Sequence, residues 1–476
     1  MTKASFRAAI LLTSVSKMAF VVRSACPDTP NYEEAYFMSP KTVKKALKDA
    51  IQAMTDYKWL FSARPGKDNT RNRKFPFQKV IPFILAFRGG TLNHEIMDFF
   101  GLDPFTGTSS AFIQRRSTIL PEAFESLFHD FSRSVDENKL YRGIRLLAVD
   151  GSDLQIAANP KDPDSYYPGV NGQRAYNLLH INAMYDLHQH IYVDALVQKS
   201  RKADESAALT AMVDRSAIES ALLLADRGYE SYNNLAHIQE KGWNFLIRIK
   251  DGTVGIASGL ALPATDEFDV PFHLKLTNKQ SNEIKELLKD KNHYRHITNA
   301  IRFDYLPRTS RKYDPAVFFE LHFRIVRFPI SDTACETIIT NLDASAFPLH
   351  DIKRLYAMRW GIETSFRNLK HTLGLLHLHA KKVEFVLQEI FAKLTMYNFC
   401  ELITQSVVIQ QAQKTHTYKV NFSDAVHICR QFFLGDVPPP ILEAMLMRYI
   451  SPICPGRKDT RKLTQKSSAS FTYRVA

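Results

Sequence analysis

Four residues in the stretch YAMRWGIETSFRNLK carry side chains suited to a phosphate: Tyr356, Arg359, Glu363 and Lys370. Their spacings of three, four and seven residues are all close to whole helical turns. At about 100° per residue they fall within roughly a 60° arc of one α-helix, along a stripe about 21 Å long. That length exceeds one phosphate but suits a reactive phosphodiester and its neighbours on a nucleic-acid strand. One carboxylate does not hold catalytic metal ions, so such chemistry requires more acids. Two apolar runs upstream end in one, at Asp150 and at Asp226.

Cleaving a phosphodiester at neutral pH needs a strong nucleophile and neutralisation of charge on the attacking and leaving oxygens. Two divalent ions about 3.5–4 Å apart do both in an in-line displacement. Magnesium favours carboxylate oxygens and keeps several waters, so three acids suffice for two ions. Asp153, in DGSD, rivals Asp150. Asp150 is preferred because it ends the apolar run, whereas Gly151 should break the strand and leave Asp153 on a turn.

The pattern Tyr-x2-Arg-x3-Glu-x6-Lys resembles the signature of bacterial insertion-sequence transposases of the DDE type, family four. RLLAVDGSDLQI and LLLADRGYESYNNLAHIQEKGWNFLIRIK match the same resemblance in the family's order, over roughly residues 140 to 380. The resemblance implies that Asp150, Asp226 and Glu363 are both the catalytic residues and the metal ligands. Asp150 would bridge two Mg²⁺ ions, for which Mn²⁺ can substitute, and the other two acids would each complete one. It also implies that Arg359 and Lys370 hold phosphates, that Tyr356 stacks or donates, and that Arg227 and Tyr229 of the DRGY run position DNA. Further implications are double-stranded DNA as partner (inverted-repeat ends and target), a homodimer in the synaptic complex, cut-and-paste movement, and no small-molecule cofactor. A catalytically inactive or domesticated DNA-binding protein and a structure-specific nuclease are the rival functions.

The elements that must position these residues read as an α/β fold. Strand signals at Ile144–Val149, Tyr176–Tyr185, His190–Gln198, Leu222–Ala225 and Trp243–Ile249 alternate with helix signals at Asp204–Ile218 and Asn233–Lys241. This order looks like the ribonuclease-H-like mixed-sheet core that the resemblance implies, over residues 141–250 and 343–412. A β-rich insertion at 251–342 would interrupt it, with Phe319, Leu321, Phe323 and Ile325 alternating onto one face. Some relatives are expected to hold a flipped base with an aromatic from the insertion. Here Trp59, Trp243 and Trp360 all lie outside it, and Trp360 is read as core packing. Val383–Gln413 reads as a helix covering the core, and 413–476 as a helical and basic tail.

Residues 35–140 read as a helical DNA-end-binding region. Two helices around a turn marked by Gly101, Pro104 and Gly107 would offer Ser109, Ser110, Gln114, Arg115 and Arg116 to DNA. The bland reading is a helix pair with a basic surface. ARPGKDNTRNRK reads as a cationic loop. Residues 1–34 form an uncertain leader, too interrupted by polar residues for a membrane span.

A net charge of +13 and a pI near 9.3 point to a polyanionic partner, nucleic acid before membrane. The five cysteines are scattered without a C-x-x-C, which fits reduced thiols in a cytosolic protein and argues against a zinc ribbon or disulfide framework. The resemblance implies a cytoplasmic, nucleoid-associated bacterial protein. The pairs His188/His190 and His377/His379 raise a zinc alternative. No closed ligand set is evident, and solvent-facing histidines are the preferred reading.

Overall fold

The computed structural model describes residues 38–453, apart from 72, 170–173, 251–254, 308–314, 316, 332–333, 408–416 and 436. The expected leader and the basic end of the tail lie outside the described residues. The described residues from 38 to 134 form helices and their connections. Ser39 caps α1 (Pro40–Asp56) by accepting from the Thr42 N–H, and Pro40 occupies a first-turn position where no N–H is required. Its buried stripe is Val43, Leu47, Ile51 and Met54. Then come α2 (Phe77–Leu85), α3 (Leu92–Phe99), α4 (Ser109–Arg116) and α5 (Glu122–Ser134). Thr91 and Thr108 cap α3 and α4, the helix pair expected around the Gly101–Gly107 turn.

The chain then builds β1 (Arg145–Ile156), β2 (Tyr166–Tyr167), β3 (Tyr176–Asp186) and β4 (Ile191–Lys199), followed by α6 (Glu205–Arg215), β5 (Ala221–Ala225), α7 (Tyr232–Glu240) and β6 (Asn244–Arg248). Next are β7 (Phe268–Thr277), α8 (Asn282–Leu287), β8 (Tyr294–His296), β9 (Phe319–Ser331) and β10 (Ala334–Thr340). Strands β1 to β10 form one 10-stranded sheet in the order β2-β3-β1-β5-β6-β10-β9-β7-β8, with β4 pairing β3. The β1, β5 and β6 strands are parallel neighbours; β3 runs antiparallel beside β1, and β4 antiparallel to β3. Since β10 pairs antiparallel with β6, the segment expected as an insertion extends the same sheet. Helices α9 (Leu349–Met358), α10 (Trp360–Arg367), α11 (Val383–Gln405), α12 (Phe422–Leu434) and α13 (Pro439–Arg448) follow among the described residues, with a short ribbon of β11 (Tyr418–Val420) and β12 (Ile450–Pro452).

Strand alternation divides the interior in two. Leu146, Ala148, Leu222, Leu224 and Leu246 face a core shared with α1 to α5 and α9 to α13. Leu147, Val149, Leu223, Ala225, Phe245 and Ile247 face a second core, closed by α6, α7 and the inward residues of β7 and β9. The N-terminal helices therefore share a core with the sheet. Helix α11 is their meeting point, packing on α1, α2, α5, α12 and β4. It is buried on every side along most of its length, and it ends at Gln405, short of the expected Gln413.

Two expectations fail for a physical reason. Strand β1 does not break at Gly151, because β3 pairs across it, Gly151 opposite Asn182, as far as Ile156. A Cβ there would sit 2.4 Å from His180 Nε2, so glycine serves close approach and not a turn. Asp153 consequently lies within the strand. His188 and His190 occupy the four-residue turn between β3 and β4, where no H-x-H strand face exists.

Candidate active site

Parity and register bring the first two acids together. Residue 150 shares the alternation of Leu146 and Ala148, and residue 226 that of Leu222 and Leu224, so both belong to the face carrying α9 and α10. The parallel register pairs Ala148 with Leu224. Asp226 keeps extended backbone (φ −79°, ψ 171°) just past the strand end. Two residues further along this register, Asp150 stands beside Asp226 on strands about 4.8 Å apart. Helix α10 packs against β1 and supplies Glu363. The structure thus brings together three acids separated by 76 and 137 residues (226 − 150 and 363 − 226).

Their fields overlap. Burial, above all, pushes the Asp150 carboxyl up to about 6; Glu363 and Asp226 add to the rise, against the Gly151 N–H (2.9 Å) and Arg359. Arg359, itself only 5% exposed, reaches Glu363 Oε1 through Nη2 at 2.8 Å. Arg248 Nε lies 3.2 Å from Asp226 Oδ1, and its Nη1 3.4 Å from Glu336. Two guanidinium groups therefore divide between the three acids, and Asp150 receives only weak compensation. The three carboxylates do not all lie within 4.8 Å of one another.

Several buried polar atoms around the acids lack a hydrogen-bond partner among the described residues: Tyr229 Oη, Tyr356 Oη and Arg359 Nε. Such groups are costly and rare in packed interiors. Here they collect around one spot. On the far side of β1, His180 Nδ1 lies 2.7 Å from Asp153 and its Nε2 3.1 Å from Glu205, at the start of α6.

The signature residues do not form one straight helical stripe. The helix tightens at Arg359, between α9 and α10, and widens into a π turn over Asn368–Thr372. Lys370 sits in that wide turn and donates to the Asp153 carbonyl at 2.8 Å, and burial lowers its pKa. Tyr356 is 5% exposed, and burial pushes its hydroxyl up to about 12, so its ring packs and does not stack on a base. Tyr229 is likewise a core side chain, while Arg227 is exposed. The converse error concerns Trp360: read as packing, it is 58% exposed, with Arg359 over its ring.

Among the N-terminal candidates, Arg116 is removed. It is 2% exposed and ion-paired to Glu389 at 2.8 Å, so it cannot meet DNA. Arg115 is half-buried and donates to the Phe75 carbonyl. His379 is buried too, its Nε2 donating to the Gly90 carbonyl at 3.0 Å, which corrects the solvent-facing reading for this residue. Sequence reasoning missed Arg248, His180 and Glu205. An arginine at the end of the apolar run FLIR was a visible signal for Arg248, but its place beside Asp226 requires the β5–β6 register.

The family described as transposase DDE domain matches residues 141–399, more than half of the chain. The chain belongs to this family. The transposase is 22% identical over 426 residues to "Transposase InsG for insertion sequence element IS4" of Escherichia coli (strain K12), covering 84% of this chain and 87% of the relative. This is an IS4-type DDE transposase, an enzyme that cleaves DNA and transfers strands. A solved structure, "Cryo-EM structure of piggyBac transposase synaptic complex with hairpin DNA", aligns with TM-score 0.41 at 10% identity over 88% of this chain and 87% of that one. Among the described residues of the transposase, no helix is long and apolar enough to cross a membrane.

Proposed function

We propose that this transposase binds the terminal inverted repeats of its element and cuts and rejoins DNA at a site formed by Asp150, Asp226 and Glu363. The observation that carries this reading is the placement of Asp150 and Asp226 side by side on parallel strands under Glu363, with the Asp150 carboxyl pushed up to about 6. An all-oxygen donor set with uncompensated negative charge suits hard divalent cations, Mg²⁺ or Mn²⁺. Asp150, central to the three, would touch both ions. When bound, the ions supply an activated water or 3′-hydroxyl and neutralise charge on the reacting oxygens.

The chain's own residues do the positioning. Arg359 is held over Glu363 with its Nε unsatisfied, ready to donate to a phosphate oxygen next to the acids. Arg248 balances Asp226 from the adjacent strand. Lys370 places its ammonium on the β1 backbone three residues past Asp150, and exposed Arg227 and half-buried Arg115 offer charge for the DNA backbone. The strand order β4-β3-β1-β5-β6, with acids on the first strand and just after the fourth in sequence, supports a ribonuclease-H-like core over 141–250 and 343–412. On this reading residues 35–140 engage the element ends, 251–342 form an insertion fused to the sheet, and 413–476 form the tail. Two ends must be paired, so the active complex is a homodimer on nucleoid DNA in the cytoplasm.

Incubation of purified protein with the DNA flanking its own gene and Mg²⁺ or Mn²⁺ tests the proposal. Strand-specific nicks at the repeat ends, abolished in Asp150→Ala, Asp226→Ala and Glu363→Ala, are expected. Unchanged cleavage in the three variants would reject the site, and binding without cleavage by the wild type would favour an inactive DNA-binding protein. Lys370→Ala should weaken end binding and reduce the slope of log affinity against log salt by about 1.

A further inference from the structure

The geometry points to a second metal site, formed by His273, His322 and Glu320 on β7 and β9, for a transition-metal ion of the zinc class. Among the described residues these are the only three groups of ligand type whose donor atoms all lie within 4.8 Å of one another. The antiparallel register sets His273 opposite His322, and Glu320 opposite Lys275. Leu274, Leu276, Leu321 and Phe323 turn into the second core, so alternation sends His273, Glu320 and His322 together to the other face of the sheet. The imidazole rings lie 4.0 Å apart at 18°, and His273 Nε2 is 3.1 Å from Glu320 Oε2.

Two imidazole nitrogens and one carboxylate oxygen match the donor preference of Zn²⁺, Co²⁺ or Ni²⁺, and leave further positions open. The same set is poor for Mg²⁺, which takes oxygen ligands. Bond lengths of about 2.1 Å place tetrahedral ligands about 3.4 Å apart. The His273–Glu320 pair at 3.1 Å already meets that spacing, and donors within 4.8 Å of one another close by no more than about 1.4 Å. Side chains half-exposed to exposed can do this by rotation. The backbone beneath them is held: Gln239 of α7 donates to Glu320 O at 2.9 Å and accepts from the His322 N–H at 3.3 Å. One group competes, since Lys275 Nζ lies 3.2 Å from Glu320 Oε1 and leaves Oε2 for the ion.

This cluster is separate from the acid site. Strand β9 lies three strand intervals from β5, roughly 14 Å at about 4.8 Å per interval. A metal there would clamp β7 to β9 across the ladder at the outer part of the sheet, independently of DNA cleavage.

The test uses the full chain without a histidine tag, stripped with chelator and held in excess Mg²⁺. Co²⁺ titration is followed by its visible absorption and Zn²⁺ titration by calorimetry. About one equivalent should bind to the wild type and equally to Asp150→Asn. Affinity should fall at least about tenfold in His273→Ala and His322→Ala, since even outer partners of a metal ligand are worth about 10–100-fold. Lys275→Met should raise it. Thermal unfolding without metal reads whether these variants fold. No saturable Co²⁺ or Zn²⁺ binding, or binding lost in Asp150→Asn and retained in the two histidine variants, would overturn the assignment.

Discussion

Asp150 and Glu389 are both carboxylates taken out of water, yet one is pushed up to about 6 and the other held at about 2. Burial raises both. Their partners differ. Glu389, on α11, meets the Arg116 guanidinium at 2.8 Å and the His379 N–H at 2.9 Å. Arg116 in turn donates to Gln388 Oε1 and the Phe385 carbonyl. Nearby, Glu95 Oε1 accepts from the N–H groups of Arg88, Gly89 and Gly90; despite burial, His379 and these backbone donors bring it to about 2. Asp150 has the N–H of Gly151, its neighbour along the strand, and two further acids. The difference shows that a fold satisfies the carboxylates it uses as cement and leaves surplus charge where it needs to bind something.

The largest expected effect falls on the acid side. Asp150→Asn, Asp226→Asn and Glu363→Gln should each reduce cleavage by roughly 10³-fold or more, equivalent to about 4 kcal/mol of transition-state stabilisation. The melting temperature of Asp150→Asn should hold or rise, because a poorly compensated charge is removed. A marked drop in its melting temperature would mean that Asp150 is structural after all.

Next comes the cemented network. Arg116→Ala leaves Glu389 buried without its main cation and should cost about 3–5 kcal/mol in urea unfolding. Replacing both partners by methionine should recover most of that loss. If Arg116→Ala alone is nearly neutral, the contrast between the two clusters fails.

Acid titration of stability separates them by sign. Glu95 and Glu389 have lowered folded pKa values, so their stabilisation is complete above about 4.5 and is lost as pH falls towards about 2. Asp150 behaves oppositely: between its ordinary value near 3.8 and about 6 the folded state holds more protons, so stability declines as pH rises through that window. Denaturation from pH 7 to 2 should show this rising limb vanish in Asp150→Asn, with the acid collapse intact. Identical curves for the two proteins would contradict the shift.

The smallest effect sharpens the edge of the site. Trp360, large but 58% exposed, should be replaceable by alanine within about 0.5 kcal/mol. A loss above 2 kcal/mol in unfolding would show it to be packed.

Local pattern made most of the core elements legible. Strands β3 to β6, helices α6 and α7 and the alternation of Phe319, Leu321, Phe323 and Ile325 follow from periodicity within a few residues. The acids were legible because each ends an apolar run or sits in a dense signature. Burial was not. Arg116 and Trp360 exchanged their expected places, since side-chain exposure depends on what packs against a helix and not on the helix itself.

Residue order alone marked Asp150 and Asp226 as acids closing apolar runs and Glu363 as an acid on a helix, with basic neighbours at turn-like spacing and an overall positive charge for a polyanion. Only the tertiary structure decided that the first two meet, because strand adjacency joins β1 to β5 across a register that no local rule specifies. It also decided which cations face them: Arg248 arrives from β6 and Lys370 through a π turn that shifts it off the helical stripe. Short-range propensity fixes the period of each element, whereas long-range hydrogen bonding and core packing select the neighbours, and a site made of distant residues exists only at that second level.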